Sequence, residues 1–110
     1  MTGPGEGSGG NQKAVGQLQP DGAGRFRLSG AATLQSVAVL RAAGLQAFAA
    51  SSGAITLDLA ALTRVDSAGL ALLIDWLAWA RSSSRELRFV ALPDSLRALA
   101  RLSDVEPVLV

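Results

Sequence analysis

Two short stretches in the middle of the chain decide its fold: residues 55–59, with the sequence ITLDL, and residues 65–73, with the sequence VDSAGLALL. The first is an apolar run that follows the turn-forming residues 51–53, SSG, which is typical of a buried strand. The second begins with Asp66 and Ser67, either of which favours a helix N-terminus, and then becomes continuously apolar. A buried strand followed by a helix is part of a β-α-β unit and predicts a parallel sheet.

Toward the N-terminus, the sequence pattern indicates a hairpin and a helix. Residues 17–19 and 26–28 lie on either side of the turn-forming residues 20–22, PDG, and predict two short strands joined as a hairpin. Residues 33–50 carry apolar side chains at near-helical spacing and predict a helix, in which Gly44 lowers the local helix propensity.

Toward the C-terminus, three or four further elements follow. Residues 70–81 predict a helix of about three turns that ends at the serine run 82–84. Residues 87–92 predict another strand, and residues 93–102 predict a third helix that starts with Pro-Asp. Residues 105–110 are compatible with a short final edge strand.

This element order, β-β-α-β-α-β-α with a possible last strand, predicts the fold class. Strands separated by helices indicate an α/β domain whose mostly parallel sheet has four or five strands, covered by about three helices. A chain of 110 residues has room for one such domain. We expect residues 1–16, which are rich in Gly, to be a disordered tail, and residues 17–110 to form the folded domain.

Composition argues against several classes of partner and location. Ten Lys and Arg residues against nine Asp and Glu residues give a net charge of +1, and the Arg residues are spread along the chain, so we expect no nucleic-acid partner. The most apolar run, residues 68–80, would span about 20 Å as a helix, whereas a bilayer core is about 30 Å thick, so we expect no membrane insertion. The N-terminal residues lack the pattern of a secretory signal, and we expect a cytoplasmic location.

The residues that could carry out catalysis or bind a metal are few. Asp58 ends the predicted strand and Asp66 precedes the predicted helix, where short polar side chains commonly form turns and helix caps. A metal site or acid-base pair built on these two carboxylates would lack a His and a third ligand nearby, so we predict no metal site and no cofactor. The chain has no His, Cys or Tyr from which to build a nucleophile-base pair, and we predict that it is not an enzyme.

The helix predicted for residues 70–81 carries apolar side chains on two faces. At about 100° per residue, the natural core face is formed by Leu70, Leu73, Ile74 and Leu77. The roughly opposite face is formed by Ala68, Leu72, Trp76 and Trp79. This second face is either covered by another helix or exposed as a docking patch in which the Trp side chains supply most of the affinity.

Residues 55–59 and 65–73, in this element order, resemble the STAS domain that anti-sigma factor antagonists share with the tails of sulfate transporters. The resemblance covers residues 17–110. Within that family the chain is most similar to the MlaB-type subunits of phospholipid ABC transport systems, with further likeness in residues 87–93 and in the helix of residues 96–102.

The resemblance implies a function through protein contacts. It implies a cytoplasmic subunit, peripheral to the inner membrane through its partner, that binds an ABC ATPase, supports the assembly or activity of that ATPase, and through it contacts a membrane permease. The alternative is an anti-sigma factor antagonist that a partner serine kinase switches by phosphorylation. The bulky apolar residues beside Ser67 favour the first reading, because they suit a lasting assembly.

Ser67 is the sharpest candidate residue under this resemblance. It matches the hydroxyl residue that antagonists present for phosphorylation and that MlaB-type subunits place at the ATPase contact. A phosphoryl group would add about −1.5 to −2 charges at a helix N-terminus, which tolerates an anion. Plain helix capping, worth about 1 kcal/mol, is the alternative. The resemblance also favours docking for the second helix face, so the predicted partner-binding residues are Ser67, Ala68, Leu72, Trp76 and Trp79.

Overall fold

The structure, a computed structural model, describes residues 16–109. The tail predicted for residues 1–16 lies outside the described residues except for Gly16, and the last residue of the predicted edge strand, Val110, also lies outside them. Gly16 is buried, and a Cβ atom at this position would lie 2.4 Å from the carbonyl oxygen of Ala31. The described domain therefore includes one residue that was predicted to belong to the tail.

The described part of the chain contains five strands and four helices, in the order β-β-α-β-β-α-β-α-α. The strands are β1 (Gln17–Pro20), β2 (Arg25–Ala32), β3 (Ile55–Asp58), β4 (Leu62–Val65) and β5 (Leu87–Val90). The helices are α1 (Val37–Ala50), α2 (Ser67–Ser82), α3 (Asp94–Leu102) and α4 (Glu106–Leu109). The predicted α/β class with a mostly parallel sheet is confirmed.

The sheet is organised around β2. β1 pairs with β2 in antiparallel fashion, as the predicted hairpin requires, whereas β3 and β4 both run parallel to β2 and β5 runs parallel to β3. β3 pairs with the first residues of β2, and β4 pairs with the last three residues of β2, with a register shift between Gly30 and Ala31. β4 was not predicted from the sequence, because its middle residues, Thr63 and Arg64, are exposed and the strand therefore lacks an apolar run.

One face of the sheet is packed and the other is open. In β2, Phe26 and Leu28 are buried while Arg25 and Arg27 are exposed, as expected when only one face of a strand meets the core. The buried side chains of the neighbouring strands continue the same layer: Ile55, Leu57 and Phe89. α2 packs against β2, β4 and β5 and forms the centre of the helical layer.

α1 covers the side of α2 that carries the second apolar face. The Trp76 side chain is 0% exposed and Leu72 is 1% exposed. A Cβ atom at Gly44 of α1 would lie 2.4 Å from Cζ2 of Trp76, so the missing side chain is what allows the indole to fit beneath the helix. Phe48, also in α1, contacts Trp76 edge to face with ring centroids 5.3 Å apart. The prediction that Leu72 and Trp76 belong to an exposed docking patch is therefore wrong. The structure shows the alternative, in which another helix, α1, covers this face.

The C-terminal residues also differ from the prediction. Residues 106–109 form the short helix α4 and not an edge strand. Glu106 forms ion pairs with Arg97 and Arg101 of α3, with nitrogen-to-oxygen distances of 3.9 and 3.3 Å, and Leu109 is buried in the core. These contacts fold the segment back onto α3. Among residues 16–109, no helix has the length and apolar character needed to cross a membrane.

Candidate docking site

The N-terminus of α2 is fixed to the sheet by a close backbone contact. The N–H of Asp66 donates to the carbonyl oxygen of Ala32, the last residue of β2, at 3.3 Å. A Cβ atom at Gly69 would lie 1.9 Å from that same carbonyl oxygen, so the first turn of the helix can approach β2 this closely only with glycine there. The position of the helix start relative to the sheet is therefore set by backbone packing.

Asp66 caps α2 and also holds a neighbouring loop. Its Oδ1 accepts a hydrogen bond from the N–H of Gly69 at 3.0 Å, which is the N-cap interaction expected for Asp. Its Oδ2 accepts a hydrogen bond from the N–H of Leu34, also at 3.0 Å, in the turn between β2 and α1. The predicted capping role of Asp66 is borne out, and one carboxylate joins two segments that are far apart in the sequence.

The two hydrogen bonds favour the charged form of the Asp66 carboxylate. The hydrogen bond from Leu34 is the main reason that the pKa of Asp66 lies below its ordinary value of 3.8, and the hydrogen bond from Gly69 acts in the same direction. Burial opposes the shift without reversing it. At neutral pH, Asp66 is therefore an anion whose two oxygens both accept backbone N–H groups.

Ser67 is the first residue of α2 and is exposed. Because Asp66 is the cap, the hydroxyl of Ser67 is not needed for capping, and no hydrogen bond of this hydroxyl occurs within residues 16–109. Ala68, the next predicted partner-binding residue, is half-buried. The first turn of α2 thus exposes one hydroxyl that has no hydrogen-bond partner within residues 16–109.

Leu34 is a second exposed residue at this site, and it was not among the residues predicted from the sequence. Its side chain is 75% exposed. Its turn is held by Ser36, whose buried hydroxyl donates to the carbonyl oxygen of Ala31 at 2.8 Å and accepts from the N–H of Thr33 at 3.0 Å. The predicted helix of residues 33–50 begins only at Val37 for this reason. The signal that could have found Leu34 is a large apolar side chain between two polar ones just before a helix.

The other predicted residues lie away from this point. Asp58 accepts a hydrogen bond from the N–H of Ala60 at 2.8 Å, so it acts as the turn former predicted for the end of its strand. Trp79 is half-buried against Phe48, at 5.9 Å between ring centroids, with the guanidinium of Arg85 5.8 Å from its ring. The structure therefore brings together Asp66, Ser67 and Leu34 at one end of α2, and places the Trp side chains nearer the other end.

Comparison with known proteins identifies related sequences and folds. A family model described as "Mlab, STAS domain" matches residues 15–110. The chain is similar in structure to the anti-sigma factor antagonist SpoIIAA in its unphosphorylated form, with a TM-score of 0.67, 17% sequence identity, and coverage of 86% of this chain and 85% of that chain. A search of curated protein sequences found no match.

Proposed function

We propose that this chain, which belongs to the STAS-domain family described as MlaB, is a non-catalytic subunit that binds a cytoplasmic ABC ATPase and regulates or stabilises it within an inner-membrane phospholipid transport complex. In this proposal the chain lies on the cytoplasmic side of the membrane, and its contact with the permease is made through the ATPase. The family match over residues 15–110 supports the domain type. The exposed Ser67 hydroxyl is the observation that carries the docking proposal.

The surface around Ser67 suits a protein contact. We call it the Ser67 surface and define it by four exposed residues, Leu34, Ser67, Ala71 and Asp75. Ala71 and Asp75 follow Ser67 at successive turns of α2, and small side chains there allow a partner to approach the helix closely. Asp75 pairs with Arg41 of α1, which ties the two helices together at the surface. A stable protein interface buries about 800 Å² of surface on each partner. The contact must therefore extend beyond Ser67 to the other residues of the Ser67 surface.

The same hydroxyl supports a second candidate function. An exposed serine at a helix N-terminus is a suitable phosphoacceptor, because the helix dipole stabilises the added negative charge. In that case the chain is an anti-sigma factor antagonist, and a partner serine kinase switches its binding by phosphorylating Ser67. The two functions use one surface and differ in whether Ser67 stays neutral.

Substitution of Ser67 separates the two functions. If the ATPase docks on a neutral hydroxyl, Ser67→Thr keeps the oxygen and should bind normally, whereas Ser67→Asp should lose about 2 kcal/mol or more of binding because it buries a charge without a partner. Ser52→Asp is the matched control, since Ser52 is exposed in the loop at the opposite end of α1 from Leu34. The measurement is the affinity of each purified form for the purified ATPase.

Intact-mass analysis of the protein from its native cells completes the test. The proposed function predicts unmodified protein and recovery of the ATPase with the wild-type and Thr forms. Stable phosphorylation of Ser67, together with no ATPase recovered by any form, would contradict the proposed function and favour the antagonist function.

A further inference from the structure

An open groove lies beside the Ser67 surface. It is bounded on one side by the turn between β2 and α1 and on the other by residues 63–66, and Ser95 of α3 contributes to its wall. Its volume is about 620 Å³, which is large enough to receive one or two side chains from a partner. The groove reaches Leu34 and Asp66, so it is continuous with the surface proposed to contact the ATPase.

Among residues 16–109, Arg64 is the only cationic side chain that lines the groove. It is exposed, and within residues 16–109 no carboxylate oxygen lies within 4.0 Å of its guanidinium nitrogens. The groove also contains the carboxylate of Asp66, but both of its oxygens already accept backbone N–H groups from Leu34 and Gly69. Within residues 16–109, the Asp66 carboxylate is thus stabilised by two backbone N–H groups, whereas the Arg64 guanidinium has neither an ion-pair partner nor a hydrogen-bond acceptor and is open to a partner's carboxylate.

The remaining lining residues favour a peptide segment over other ligands. Thr33, Gln35 and Ser95 offer hydrogen-bonding groups, and Leu34 offers an exposed apolar side chain at the rim. In the part of the chain that the structure describes, no aromatic ring lines the groove on which the bases of a nucleic acid could stack. A single Arg gives only about 1 kcal/mol of attraction to an anionic membrane surface, too little to hold the domain there.

We propose that the groove receives an acidic side chain of the ATPase, with its carboxylate paired to Arg64 and an apolar neighbour in contact with Leu34. Arginine can form two parallel hydrogen bonds with a carboxylate, which fixes orientation as well as adding attraction. This inference rests on the proposed function, because it names the chemistry of the partner at the same site. Arg64 then determines which ATPase is recognised, and Ser67 provides the neutral contact beside it.

Charge variants of Arg64 test the inference in the full-length chain. Arg64→Glu should weaken binding to the purified ATPase about tenfold or more, and Arg64→Gln should weaken it less. Wild-type affinity should fall as salt concentration rises, and Arg64→Gln should flatten that dependence because the paired charge is gone. Leu34→Ala should weaken binding while leaving the salt dependence unchanged. Arg81→Glu is the matched control: Arg81 is exposed on the last turn of α2, outside the groove, and should retain wild-type affinity.

The outcomes distinguish this inference from the proposed function. If Arg64→Glu and Arg64→Gln bind the ATPase as the wild type does while Ser67→Asp does not, the groove is not the acidic contact and the inference is wrong, although the proposed function stands. If the wild-type chain does not bind the ATPase at all, both fail. Circular dichroism of each variant should show that the fold is retained, because the substituted side chains are exposed.

Discussion

The two ends of α2 differ in what their side chains contact. At the N-terminal end, Ser67 is exposed and the helix start is fixed by Asp66 and Gly69. Toward the C-terminal end, Trp76 is fully buried beneath α1. The bulkiest side chain of the helix therefore stabilises the domain, and a small hydroxyl remains to contact a partner.

The difference shows that side-chain size alone does not identify a docking residue. Large aromatic residues dominate many interfaces, but they also dominate cores, and which role they take depends on what lies opposite. Here the opposite residue is Gly44, whose missing side chain leaves room for the indole. Variants at the two ends of α2, and at Gly44, test this difference between core and surface.

The largest effect is expected at Trp76. Trp76→Ala should lower the free energy of unfolding by about 3–5 kcal/mol, because it removes a fully buried aromatic side chain and leaves a cavity. Trp76→Phe should cost less, since it keeps most of the volume and removes an indole N–H that has no hydrogen-bond partner in the described chain. Urea unfolding of both variants measures the difference. A Trp76→Ala variant as stable as the wild type would show that the indole is not part of the core.

The next effect is expected at Gly44. Gly44→Ala should lose about 2 kcal/mol of stability, because the clash of its Cβ with the rigid indole of Trp76 outweighs the gain of about 1 kcal/mol in helix propensity. Ala42→Gly, on the exposed side of α1, measures the propensity effect alone. In a Trp76→Phe background the Gly44→Ala loss should shrink, since the two positions are in contact. Equal losses in both backgrounds would contradict the proposed fit.

A smaller, pH-dependent effect is expected at Asp66. Asp66→Ala should cost about 1–2 kcal/mol at neutral pH through loss of the helix cap and the Leu34 contact. The folded-state pKa is lowered, so this stabilisation is fully present above the ordinary pKa of 3.8 and is lost as the pH falls through the lower folded-state value. Asp66→Asn keeps an acceptor for the cap and should lose less. Urea unfolding in a series of acidic buffers should bring wild type and Asp66→Ala together; a constant difference would contradict the role of the charge.

The smallest effect is expected at Ser67. Ser67→Ala should change the free energy of unfolding by no more than about 0.5 kcal/mol, because the hydroxyl is exposed and Asp66 already caps the helix. Thermal unfolding of this variant checks the prediction. A loss above about 1 kcal/mol would mean that the hydroxyl has a structural role.

The sequence predicts much of the fold because the spacing of apolar residues and the positions of turn-forming residues are local signals. The hairpin, β3, α2 and the Asp66 cap all follow from short patterns of this kind. The cover over Trp76 could not be predicted, because it depends on a contact between Gly44 and a residue in another helix, and Gly44 alone indicates only low helix propensity. The position of Leu34 could not be predicted either. Its N–H donates to Asp66, which is 32 residues away in the sequence. The turn that carries it is held by the buried Ser36 hydroxyl through Ala31 and Thr33. A strand was predicted where α4 forms, because the apolar pattern of residues 105–110 does not show that Glu106 pairs with two Arg residues of α3.

Hydrogen exchange of the chain with and without the purified ATPase tests most directly whether the partner docks at the Ser67 end of α2. The account predicts slower exchange in residues 33–36 and 63–71 when the ATPase is present, with little change in residues 76–82, where Trp76 is already buried. Protection confined to residues 76–82, with none around Ser67, would contradict it.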